Sequence, residues 1–162
     1  MKGSREVATK PLSAEEQLKV FIAKYEPKHR KVFRSLRRAM RKRFPSADEL
    51  AYDYNHALVI GYSWTQRGSD SIVAIAAGAR GVRLYLNRGS ALPDPKKLLL
   101  GSGRQTRFIW VESGRTLALP EVKALLQAAS DQARTPRRPS GRGRLIIKST
   151  SARQRPGGKG RG

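Results

Sequence analysis

Ala57-Leu58-Val59-Ile60-Gly61-Tyr62-Ser63-Trp64 is the stretch on which the fold turns. Leu58, Ile60, Tyr62 and Trp64 alternate with Ala57, Val59, Gly61 and Ser63, a period of two that belongs to a strand with one face in a core. Neighbouring segments repeat the pattern, and strands are expected near 49–54, 57–64, 71–77, 82–87 and 106–112. Their connections are short: Asn55-His56, then Gln66 to Asp70, then Gly78 to Gly81. Such spacings suit hairpins, so the first four strands are expected to form an antiparallel meander. No strand–helix–strand alternation is present, which argues against a doubly wound parallel sheet.

Upstream of this region the period is helical. Ser13-Ala14-Glu15-Glu16 reads as a capping box, with the Ser13 hydroxyl and the Glu16 carboxylate each satisfying the other's backbone amide. Leu18, Phe21, Ile22 and Tyr25 then follow at three- to four-residue spacing. Pro27 suits the first turn of a second helix, which Pro45 stops. Its apolar stripe is Val32, Phe33, Leu36, Ala39, Met40 and Phe44. Between the fourth and fifth strands, Asp94 and Pro95 are expected to open a short helix that Gly101 ends. A last helix begins at Pro120-Glu121 and carries Val122, Leu125, Leu126 and Ala129. The expected class is α+β, an antiparallel sheet of about five strands packed by N-terminal and C-terminal helices. Residues 1–12 read as a flexible arm, 13–133 as the domain, and 134–162 as a mostly disordered basic tail with room for a short strand at 144–149, around the apolar Leu145-Ile146-Ile147.

The chain has 162 residues, 34 Lys or Arg against 12 Asp or Glu, and a net charge of +22. Ten of the basic residues, and no acidic one, fall in 134–162. Cysteine is absent, which excludes disulfides, cysteine-ligated zinc, iron–sulfur clusters and thiol nucleophiles, and fits a reducing compartment. No apolar run approaches the roughly 20 residues of a membrane helix. Residues 1–11 show no signal-peptide pattern, so a cytoplasmic location is the expectation.

Leu92-Pro93-Asp94-Pro95-Lys96-Lys97-Leu98-Leu99, followed by Gly101-Ser102-Gly103, resembles the YdhG-like domain family of bacterial proteins. Phe44-Pro45 with Glu49 and Tyr54, the strand Arg107 to Val111, and Leu119-Pro120 add to the resemblance, which spans about residues 15–133. Gly143 to Ser149 through Gln154-Arg155-Pro156 looks like the C-terminus of a basic subgroup. The resemblance implies helices on an antiparallel sheet but supplies no catalytic motif. Part of the wider group is described as frataxin-like, which implies an iron chaperone or small-ligand-binding protein as the alternative function. Asp48, Glu49 and Asp53 are the densest acidic cluster available to such a metal, and His29 and His56 are the two histidines. A structural ion pair between these carboxylates and the basic helix is the simpler reading, and a protein at +22 repels free cations.

The second helix carries Lys28, Arg30, Lys31, Arg34, Arg37, Arg38, Arg41, Lys42 and Arg43 with no acidic residue among them. Like charges one turn apart cost roughly a few tenths of a kcal/mol each. A merely solvated face would intersperse glutamates, so the pattern points to a polyanion, with partial neutralisation by a neighbouring element as the plainer explanation. In the tail, Arg137, Arg138, Arg142, Arg144, Arg153 and Arg155 stand among glycines and prolines, where guanidiniums can reach phosphates bidentately or stack on bases. A solubilising extension is the plainer reading there. The expected partner is nucleic acid or an acidic protein surface, through Arg30, Lys31, Arg34, Arg37, Arg38, Arg41 and Lys42 with the tail. No membrane partner, cofactor or enzymatic activity is expected. Gly101-Ser102-Gly103-Arg104 lacks the strand-before, helix-after context of a phosphate loop and reads as a connection. Tyr52, Tyr54, Tyr62, Trp64, Tyr85 and Trp110 are expected mostly as core or sheet-packing residues. Several of them exposed together beside Arg83 and Arg107 would instead make a base-stacking platform.

Overall fold

The computed structural model describes residues 10–150. The expected arm therefore lies largely outside the described residues, as do Arg153 and Arg155 at the far end. Two N-terminal helices, α1 (Ala14–Ile22) and α2 (Pro27–Arg43), precede strands β1 (Asp48–Asp53), β2 (Ala57–Ser63), β3 (Val73–Gly78), β4 (Gly81–Leu86) and β5 (Arg107–Val111). Helices α3 (Arg115–Ala118) and α4 (Pro120–Asp131) follow, and strand β6 (Leu145–Ser149) comes last.

The architecture is α+β. One six-stranded sheet runs in the order β5-β4-β3-β2-β1-β6, with every pairing antiparallel except β1–β6, which is parallel. The meander arises from tight turns; at the β3–β4 hairpin Gly78 pairs with Gly81, whose φ of 139° only glycine adopts without strain. The parallel sixth strand forms because the apolar triplet Leu145-Ile146-Ile147 finds the free edge of β1, with Leu145 and Ile147 packing against the core. That triplet lies at the end of a segment that circles back after α4, a return long enough for a parallel approach.

The helices cover one face of the sheet. Leu18, Phe21 and Ile22 of α1, Phe33, Leu36 and Met40 of α2, and Val122, Leu125, Leu126 and Ala129 of α4 meet Leu58, Ile60, Tyr62, Val73, Ile75, Leu84, Ile109 and Val111 in one core. The opposite face, carrying Tyr52, Val59, Ala74, Ala76, Arg83, Tyr85, Phe108 and Trp110, receives no helix among the described residues. The loop around Gly68–Asp70 folds over part of it. At the N-terminus the capping box is present in both directions, 2.8 Å and 3.1 Å. The helix stops at Ile22, earlier than the apolar spacing suggests, and Tyr25 packs on the core from beyond its end.

The expected short helix after Pro95 is replaced by a single turn. Both oxygens of the Asp94 carboxylate accept backbone amides, from Leu98 at 2.8 Å and Leu99 at 2.9 Å. Lys97 adopts φ 53°, and Leu100 then bridges to Phe108 of β5. A side chain that draws in two successive amides takes them from the helical ladder, so the chain wraps around Asp94 and straightens. The short strand for which the tail left room at 144–149 forms as β6, Leu145–Ser149. The segment leading to it is held to the domain: Ser46 Oγ donates to the Arg138 carbonyl at 2.8 Å, and the Gly143 amide donates to the Pro45 carbonyl at 2.9 Å.

Candidate polyanion interface

The basic helix sorts its charges by angle. Arg37 points inward and is 13% exposed at its side chain. Its Nε and Nη2 donate to the two oxygens of Glu49 at 2.9 and 2.7 Å, while Nη1 and Nη2 donate to Glu15 at 3.0 and 2.8 Å. The Tyr62 hydroxyl completes the cluster by donating to Glu49 at 2.6 Å, deep in the core. Burial opposes the charge on Arg37, but hydrogen bonds to Glu49 and Glu15 outweigh it and keep the guanidinium protonated. Burial, followed by the charge on Glu49, pushes the Tyr62 phenol well above its ordinary value, so it remains a donor. Each group satisfies the others, which is what allows a carboxylate to sit at 5% exposure.

The other two carboxylates of β1 are engaged likewise. Lys24, just past α1, meets Asp53 at 2.7 Å. Arg138 donates to Asp48 through Nη1 at 3.3 Å and Nη2 at 3.2 Å, and the Arg144 amide adds a bond at 2.9 Å. Burial works against the Asp48 charge, but Arg138 and the Arg144 amide prevail, leaving its pKa below the usual carboxylate range. Glu49 and Asp53 face the helices, whereas Asp48, one residue out of phase, does not. Among the described residues no three carboxylate or imidazole groups converge on a point where a metal could sit. The donor set implied for an iron chaperone thus does not fit Asp48, Glu49 and Asp53, each of which is engaged by a basic side chain.

Several expected anion ligands are therefore structural. Arg37 and Arg138 are spent on buried carboxylates. Arg30 spans the α1–α2 junction, donating from Nη1 to the carbonyls of Ala23 and Tyr25 at 3.3 and 3.2 Å. Arg41 leans toward Glu49 at 3.8 Å but remains 45% exposed. What remains is a coherent stripe. Lys31, Arg34, Arg38 and Lys42 recur every three or four residues, all exposed, and none has an ion-pair partner among the described residues. With a rise of 1.5 Å per residue they line roughly 16 Å of helix.

The stripe continues into the returning C-terminal segment. Arg41, Lys42 and Arg142 flank a cleft of about 250 Å³ beside Pro45, with Glu49 at its base. Arg137 and Arg144 are also exposed nearby in sequence. The sequence did not reveal this meeting of helix and tail, because it depends on the Gly143–Pro45 bond and on β6 lying beside β1. Burial separates the aromatic residues cleanly. Tyr62 and Trp64 lie in the core, while Tyr52, Tyr54, Tyr85 and Trp110 lie on the face without helices, Tyr54 and Trp110 being 43% and 37% exposed. Compared with known proteins, the chain matches no family model, no curated protein and no solved structure. Among the described residues no helix is long and apolar enough to cross a membrane.

Proposed function

We propose that this is a non-enzymatic, cytoplasmic binding protein that contacts nucleic acid through the outer face of α2 and the adjoining C-terminal segment. One observation carries the reading: Lys31, Arg34, Arg38 and Lys42 form an uncompensated row that joins Arg142 at the C-terminal end of α2. A fold that neutralises its buried carboxylates so completely, yet leaves this row without glutamate partners, bears a repulsive cost on one face. A polyanion relieves that cost by releasing its own counterions. Among the described residues no base-reading element stands beside the row, so the contact is with phosphates and indifferent to sequence. The chain is taken within the same reading as a YdhG-like domain, on the Asp94 turn and the strands that flank it.

The test is an electrophoretic shift of a short duplex by the full chain in low salt, with an acidic polypeptide as competitor. Retarded duplex that heparin displaces and polyglutamate displaces far less supports the nucleic-acid assignment. Absence of any shift at low salt contradicts it, and preferential loss to polyglutamate reassigns the surface to an acidic protein partner.

A further inference from the structure

The sheet face without helices carries a second arrangement, on the side of the molecule opposite the α2 stripe. Val59, Ala74 and Ala76 make a low floor across β2 and β3. At one side Tyr52 and Tyr54 stack on each other, ring centres 5.9 Å apart and planes within 6°. At the other, Arg83 lies 4.6 Å from the Trp110 ring centre and 5.0 Å from that of Phe108, and donates to the Tyr85 hydroxyl at 2.8 Å. Over the floor is a cavity of about 470 Å³ whose lining includes His56, Arg80, Arg83, Tyr85 and Asn87 and no carboxylate, while Tyr52 and Tyr54 line another cavity that shares Val59, Ala74 and Asn87 with it. Neither Arg80 nor Arg83 has an ion-pair partner among the described residues.

We propose that this face binds the bases of single-stranded nucleic acid, with Tyr54 and Trp110 as stacking platforms and Arg80 and Arg83 meeting the phosphates. The two aromatic groups belong to β1 and its following residue and to β4 and β5, so they stand roughly 14 to 19 Å apart across the sheet. That span admits more than one base. Partly exposed aromatic rings beside arginines, around a cavity lined by no carboxylate, suit a ligand with π faces and negative charge. A shallow sheet surface also suits unpaired bases better than a duplex, whose bases are hidden in the stack. The proposal rests on the reading above for the class of partner but uses none of the α2 residues.

Two tryptophans make it measurable, because Trp64 is 6% exposed and Trp110 is 37% exposed. Oligothymidylate should quench tryptophan emission saturably, and Trp110→Phe should retain affinity while losing most of the quench. The double variant Tyr54→Ala/Trp110→Ala should bind the oligonucleotide roughly ten-fold more weakly or worse, with duplex affinity and thermal unfolding midpoint unchanged. Unchanged single-strand affinity in that variant overturns the proposal. So does equal loss for duplex, or thymidine monophosphate saturating the site as tightly as the oligonucleotide. Failure of the α2 reading shows elsewhere, as duplex affinity that survives replacement of Lys31, Arg34, Arg38 and Lys42.

Discussion

Arg37 and Arg38 are neighbours with identical side chains and opposite fates. One residue along a helix is a rotation of about 100°, enough to take Arg37 into contact with Glu49 and leave Arg38 in water. Removing Arg37 would leave a carboxylate at 5% exposure with the Tyr62 hydroxyl as its remaining close donor and Arg41 only at 3.8 Å. Arg37→Ala is therefore expected to cost about 3–5 kcal/mol, read from the urea midpoint, whereas Arg38→Ala should leave that midpoint nearly unchanged. Equal, small effects would mean that the cluster is not integral to the core. Protonation gives a second test. The pKa of Asp48 is depressed by Arg138 and Arg144 against the effect of burial, and that of Glu15 chiefly by its hydrogen bond to Arg37. The unfolded chain then binds protons that the native one refuses. Stability from these pairs is complete above the unfolded carboxylate range near pH 4 and is lost as pH falls through the lower native values. Asp48→Asn should flatten the decline of the unfolding free energy below about pH 4, and an undiminished decline would exonerate the pair.

At the scale of elements, what sequence could reveal depended on how local the cause was. The period-two run at 57–64 and the capping box at Ser13 are local, and both appear where their residues place them. The expected helix after Pro95 failed because Asp94 and Pro95 are as good at opening a turn as a helix, and the choice was made by Leu100 pairing with Phe108. Which cations of α2 are free was equally hidden. That depends on the register Glu49↔Tyr62, which aims Glu49 at the helix layer, and on α1 bringing Glu15 alongside. Arg138 could be read as a tail residue but not as the partner of a side chain ninety positions earlier. The last strand depends on one glycine in the same hidden way: a Cβ at Gly143 would collide with the backbone carbonyl of Ala47. Gly143→Ala should therefore detach β6, seen as faster amide exchange at Ile146 and Ile147 with the β2–β4 amides still protected. Protection retained at both residues would contradict the tight seat.

The α2 row and the exposed aromatic rings lie on opposite sides of the sheet. Truncation after Ala133 would remove Arg138 and β6 and should lower the urea midpoint. Truncation after Thr150 removes the charges of Arg153, Arg155, Lys159 and Arg161 and should weaken duplex binding. The account as a whole depends on phosphates meeting the row on α2, and counterion release gives that contact a thermodynamic signature. The measurement is the slope of log affinity against log salt for duplex. It is made on the full chain, on the variant with Lys31, Arg34, Arg38 and Lys42 changed to Gln, and on a control with exposed Lys96, Lys97, Arg104 and Lys123 changed to Gln. The full chain should give a slope of about −5 or steeper, and the α2 variant should lose about 3 to 4 of it, at roughly 0.9 per phosphate contact. The control should lose little. Equal slopes in both variants would mean that net charge, and not this row, governs binding.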